Sequence, residues 1–239
     1  MSSLISLGVV LLRDIKRPPW MSHELLPYIV LSASVCIAPQ FPGAYAIEWC
    51  VGTTDERAVE FDAVGISVDE TAFATAWATE NFGVTFGWEA TFFNVDAALV
   101  ARQRFFGDDP NMHVCQVCLP ERFVDEFLLD AQPPPQVKGY APIGETGVFS
   151  IAQKREGPQS GGRPLGYELL SVELGMISHS WLCNSLERHF AEHAGVIPNQ
   201  AGFISDREQA ESCARRLNED ENSLGAEPGL WIPCLLTEF

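Results

Sequence analysis

Runs of β-branched and aromatic residues and stretches with helix-capping signals follow one another in this sequence without a regular beat, and that irregular order narrows the architecture more than any motif does. Segments 25–38, 44–51 and 59–66 read as strands. Ser67 with Glu70 forms a capping box ahead of an Ala/Thr-rich helix to Asn81, which Gly83 and Gly87 break. Asp96 begins a second helix that runs through Phe106 and stops at Gly107 and the Asp109-Pro110 turn. A strand over 112–118 leads to Pro120, placed where a first helical turn tolerates proline, and to a helix ending at Asp130. Pro133, Pro134 and Pro135 stop that helix and mark a linker. Beyond it, 147–156 and 166–174 read as strands joined into a hairpin by the Gly- and Pro-rich loop 157–164. Ser178 caps a helix from His179 to Ala194, Ser205 with Glu208 repeats the capping box before a helix to Asn218, and 230–236 is a last strand. A doubly wound sheet needs regular alternation, so this order predicts an α+β fold: a mixed or antiparallel sheet with several packed helices, and helical segments in the C-terminal half.

The chain then divides into a disordered extension over 1–20, an acidic α+β part over 21–131, a Pro-rich linker over 132–146 and a hairpin-plus-helices part over 147–239 that can share one domain with 21–131. The extension is set apart because its apolar stretch 4–12 precedes Arg13, Lys16 and Arg17, the reverse of a secretory signal, and because Met21 offers a second start. The longest apolar run, 25–38, contains Pro27 and is shorter than the roughly 20 residues a bilayer span needs, so no membrane association is expected. Seven scattered cysteines in a chain of 239 residues, long enough to bury a core unaided, point to a reducing cytoplasm rather than a disulfide framework. The expected core is Leu31, Val35, Ile37, Ile47, Val64, Ile66, Phe73, Trp77, Val114, Phe127, Leu169, Trp181, Leu186 and Trp231.

Charge separates the partners the chain can take from those it repels. The formal net charge is −17, and segment 48–130 alone holds sixteen acidic residues against four arginines. Such a surface repels nucleic-acid backbone and anionic lipid, whereas it steers and orients a basic protein. The candidate partner-binding residues are Trp88, Glu89, Asp108, Asp109, Glu121, Asp125 and Glu126. The aromatics at Phe82, Phe86, Trp88, Phe92, Phe93, Phe105 and Phe106 are interleaved with glycine and acid rather than with Arg or Lys, so they read as core packing and not as a base-stacking platform. A homodimer is compatible with the sequence, though no heptad or exposed strand singles out its cause.

Three groups carry chemistry on paper. His189-Phe190-Ala191-Glu192-His193 fits the H-x-x-E-H pattern in which two imidazoles one helical turn apart hold zinc and the glutamate acts as base, with Glu208 or Glu211 left as third ligand. The alternative is a pair of histidines satisfied by packing and hydrogen bonds. His179, Cys183 and Asn184 supply the residue types of a cysteine hydrolase, with His179 and Cys183 on one face if the segment is helical; the alternative is a buried structural thiol. Cys115 and Cys118 form a C-x-x-C preceded by His113, but on a strand they point to opposite faces, which suits two buried apolar side chains better than a redox pair.

The C-terminal third contains the phrases Leu165-Gly166-Tyr167-Glu168, Ser178-His179-Ser180-Trp181-Leu182-Cys183-Asn184 with Leu186-Glu187, and Glu227-Pro228-Gly229-Leu230-Trp231. These resemble small bacterial cytoplasmic proteins grouped with polymorphic-toxin immunity proteins. The resemblance implies a non-enzymatic protein that occupies a basic toxin's active site or a neighbouring surface, with no catalytic residue and no cofactor. The expectation is therefore an acidic protein-binding module, with a zinc-dependent or cysteine hydrolase as the alternative.

Overall fold

The computed structural model describes residues 3–15, 28–31, 48–51, 59–62, 77, 80–81, 84–86, 91–108, 110, 112–130, 148–173, 176–181, 186–199, 202–219, 226 and 229–239, with backbone alone at 12–15, 28–31, 48–51, 59–62, 173, 176–180 and 187. Six strands, β1 (Leu4–Ile15), β2 (Tyr28–Leu31), β5 (Met112–Pro120), β6 (Arg163–Glu173), β7 (Met176–Ser180) and β8 (Leu230–Glu238), form one antiparallel sheet in the order β2-β1-β5-β8-β6-β7. β3 (Glu48–Val51) and β4 (Val59–Asp62) pair in a separate antiparallel ribbon. The helices are α1 (Val95–Phe106), α2 (Val124–Asp130) after a 3-10 turn at Glu121–Phe123, α3 (Val148–Gln153), α4 (Leu186–Ala194) and α5 (Arg207–Glu219). The chain is α+β, and its main sheet takes strands from both sides of the Pro-rich segment, which itself lies outside the described residues. Among the described residues no helix is long and apolar enough to cross a membrane.

Helices cover both faces of this sheet. On the first face Ile5, Leu7, Val117, Leu119, Leu170, Ile232 and Leu236 pack against Val124 and Phe127 of α2 and Val148, Phe149 and Ala152 of α3. On the second face the helices form two blocks. Val9, Leu11, Met112 and Val114 meet α1 through Val95, Ala98 and Ala101, joined by Trp77, Phe86 and Phe92. Tyr167, Leu169 and Trp231 meet Leu186 and Phe190 of α4 and Ala210, Cys213, Ala214 and Leu217 of α5. Of the aromatics expected to pack in the core, Phe86 and Phe92 are buried and Phe105 and Phe106 partly so, with Trp77 stacked on Phe86 at 5.6 Å and edge-on to Phe105 at 5.1 Å, while Phe82 and Trp88 lie outside the described residues. Of the expected core, Trp77, Val114, Phe127, Leu169, Trp181, Leu186 and Trp231 are buried. The side chains of Leu31, Val35, Ile37, Ile47, Val64, Ile66 and Phe73 lie outside the described residues.

Four expectations are corrected. Residues 4–15 are not a disordered extension but β1, whose largely apolar stretch 4–12 suits a strand buried on both faces. The expected strand over 147–156 is the helix α3: its buried Val148, Phe149, Ile151 and Ala152 follow the i, i+1, i+3, i+4 spacing of a helical stripe. β6 consequently forms its hairpin with β7, and the expected helix from His179 divides into strand β7 and a later helix, α4. Two caps also shift by one or two positions. Asn94, not Asp96, caps α1 by accepting from the Ala97 N–H at 2.8 Å, and Asp206, not Ser205, caps α5 by accepting from Gln209 N–H at 2.8 Å.

Where β2 and β7 do not reach, the outer sides of β1 and β6 are bonded by other segments of the chain. Val9 and Phe92 exchange backbone hydrogen bonds of 2.9 and 2.7 Å, Ser6 N–H donates to the Glu156 carbonyl at 2.7 Å, and Tyr167 exchanges bonds with Ile204 on the other side. A bulge between Ser6 and Gly8 makes the first of these possible, with Gly8 at φ +115. From α3 on the first face the chain turns at Arg155 (φ 51), rounds the β1 edge at Glu156, crosses the second face between its helical blocks and enters β6 at Arg163.

Candidate functional site

The acidic segment around α2 owes its outward face to helix geometry. Val124 and Phe127 are buried against the sheet, which turns Glu121, Asp125, Glu126, Leu129 and Asp130 to solvent. Two of these carboxylates are engaged: Glu121 accepts a hydrogen bond from the Ser3 hydroxyl, and Asp125 pairs with Arg155. Glu126 and Asp130 have no ion pair among the described residues; at i and i+4 they share one stripe of the helix, and Leu129, 78% exposed, lies beside it. Asp108 is exposed just beyond the end of α1. Trp88, Glu89 and Asp109, the other expected contact residues, lie outside the described residues.

The catalytic alternatives fare differently. His179 sits on strand β7 rather than on a helix, so the helical spacing that would have brought it against Cys183 does not exist, and Cys183 itself is outside the described residues. His189 and His193 do come together one turn apart on α4, with ring centres 4.5 Å apart, and His189 lies edge-on to Phe190. Burial lowers the His189 pKa, the neighbouring His193 and Arg216 add to this, Glu192 opposes it, and Nε2 is buried with no hydrogen-bond partner among the described residues. Glu192 is exposed and pairs loosely with Arg188 at 3.9 Å. Glu211, one of the two residues expected as third metal ligand, is instead a buried carboxylate held by Arg207 at 2.9 Å and by Arg122, while Glu208 is exposed on α5. No group of three metal-ligating side chains occurs among the described residues.

The C-x-x-C behaves as strand geometry dictates. Cys115 faces α2 and α3 and Cys118 the opposite side, and both are buried, as are Cys213 and Cys234. Burial pushes the Cys118 thiol up to about 12 and Cys213 to about 11, and it raises Cys234 well above its ordinary value, with Cys118 and Glu168 adding to that. These are structural thiols without the thiolate character that redox or nucleophilic chemistry needs.

Three polar constellations carry no sequence signature, because each depends on strand register or on contacts between distant segments. His113 and Arg163 converge on Glu238, with Nδ1 of His113 2.5 Å from Oε1. Burial works to raise that carboxyl, but the hydrogen bonds from His113 and Arg163 outweigh it and hold its pKa below the usual value. Arg122, Glu211 and Arg207 form the second. Ser6, Gln116 and Gln159 form the third, with Gln116 Nε2 donating to Ser6 Oγ at 3.0 Å and Gln159 N–H donating to Gln116 Oε1 at 2.9 Å. No family model, curated protein or solved structure matches the chain.

Proposed function

We propose that this chain is a non-enzymatic acidic protein-binding module whose partner is a basic protein, in the manner of an immunity protein that neutralises a toxin. The observation that carries the reading is the outward face of α2, where an exposed leucine lies beside two carboxylates that have no ion pair among the described residues. An apolar anchor next to open charge is the arrangement in which electrostatics guides encounter and apolar contact then limits release. The resemblance of the C-terminal phrases to immunity proteins and the net charge of −17 support the same assignment. A cytoplasmic location and a homodimeric state are consistent parts of the proposal.

The test is capture of basic proteins on the immobilised chain at low ionic strength, beside a Glu126→Lys/Asp130→Lys/Leu129→Ala variant. The reading expects a basic partner held by the native chain, released as salt rises, and lost by the variant. Equal retention by both chains, or binding indifferent to salt, would remove the basis of the assignment. The zinc-hydrolase alternative is addressed by elemental analysis of the purified protein and of a His189→Ala/His193→Ala variant.

A further inference from the structure

The crossing segment 156–162 differs from everything else that covers the second face. Its sequence, Glu-Gly-Pro-Gln-Ser-Gly-Gly, supplies no apolar side chain to the core, and residues 156–161 are exposed. It runs between the two helical blocks over a polar floor, the buried Ser6 and Gln116, and ends with Gly162 against Thr237 and Phe239, where a Cβ would come within 2.4 Å of the Thr237 methyl. Among the described residues three hydrogen bonds tie it down. Glu156 carbonyl accepts from Ser6 N–H at 2.7 Å, Gln159 N–H donates to Gln116 Oε1 at 2.9 Å, and Gln159 Oε1 accepts from Val95 N–H at 3.3 Å. Gln159 thus bonds at once to the floor and to the first turn of α1. A segment that buries no apolar surface and is held by a few hydrogen bonds opens at far lower cost than the sheet beneath it.

We propose that 156–162 is a releasable strap latched by Gln159, which opens as a unit while the sheet and both helical blocks stay folded. The groove therefore has two states. In the closed state the strap satisfies the Gln116 carboxamide oxygen and the Val95 N–H; in the open state that acceptor and donor face solvent. The Arg155 pair with Asp125 at one end and the β6 register starting at Arg163 on the other fix the hinge points.

Amide hydrogen exchange on the full chain tests this, comparing native protein with Gln159→Ala, an exposed position whose replacement leaves the core intact. The Ser6, Val95 and Gln159 amides are expected to exchange together, at least about 10-fold faster than the ladder amides of Val117 and Leu236. In Gln159→Ala the remaining strap-linked amides should speed up by about 2- to 10-fold, the effect of one lost hydrogen bond, with Val117 and Leu236 unchanged. Strap and ladder amides exchanging at one rate, a variant that accelerates both alike, or a variant that changes neither would each overturn the proposal.

Discussion

Replacing Gly8 by alanine gives the most direct check on how β1 is held. Gly8 adopts φ +115, a conformation that side chains rarely occupy, and holding a non-glycine residue there costs of order 1–3 kcal/mol. The new Cβ would also stand 2.2 Å from the Thr91 methyl, 3.0 Å from Ile151 Cδ1 and 3.1 Å from the Phe92 carbonyl oxygen. Thr91 can turn aside, but the Phe92 carbonyl accepts from Val9 N–H and cannot retreat without breaking that pair. Overpacking of this kind adds about 1–3 kcal/mol. Together the two effects amount to about 2–6 kcal/mol, or a fall in Tm of roughly 4–24 °C for a chain of this size. Gly107 is the natural control, since it has φ +55 and nothing within 4 Å of an added Cβ, so Gly107→Ala carries a conformational cost without the close contacts. Urea and thermal unfolding of both variants, followed by circular dichroism, should place Gly8→Ala about 1–3 kcal/mol below Gly107→Ala. If the two variants lose the same stability, the close approach of the Phe92 segment to β1 is refuted.

Glu211→Gln leaves Arg207 and Arg122 without their shared carboxylate; because Arg122 is half exposed, the expected loss is about 1–3 kcal/mol, read as a lower urea midpoint, and an unchanged midpoint would mean the triad contributes nothing. Ellman titration at pH 8 should leave Cys118, Cys213 and Cys234 unmodified in the native chain, and rapid labelling of Cys118 in particular would contradict its burial. The lowered pKa of His189 means the unfolded chain binds the extra proton first, so its contribution is fully present above about pH 6.5 and is lost as pH falls from there through the folded value. Urea midpoints at pH 7.5 and pH 5 should therefore differ less in His189→Gln than in the native chain, and an identical difference would show that His189 is not the group responsible.

What could be read from sequence was local. The strands at 112, 166 and 230 and the helices at 96, 124 and 207 carry their own periodicity and punctuation, and the structure places elements at each. β1 was illegible because a strand buried on both faces has no alternation, and Met21 as a second possible start set the segment apart from the fold. The six residues of α3 are too few for period 2 and period 3.6 to be told apart. At the candidate site, the acidity of 121–130 was visible, but the exposure of Leu129 beside Glu126 and Asp130 depends on which side of α2 meets the sheet. The exposure of Glu192 and the capture of Glu211 by two arginines depend on packing that no spacing rule encodes.

β8 follows every other strand in the chain yet lies in the middle of the sheet, bonded to β5 on one side and β6 on the other. During synthesis the β2-β1-β5 and β6-β7 pieces therefore leave the ribosome with raw edges facing each other and nothing between them. The final nine-residue strand acts as a keystone: until it is inserted, neither half has its central neighbour. Both edges are open to pairing with other nascent chains in that interval, and the long sequence separations of the β5–β8 pairs make closure a slow step.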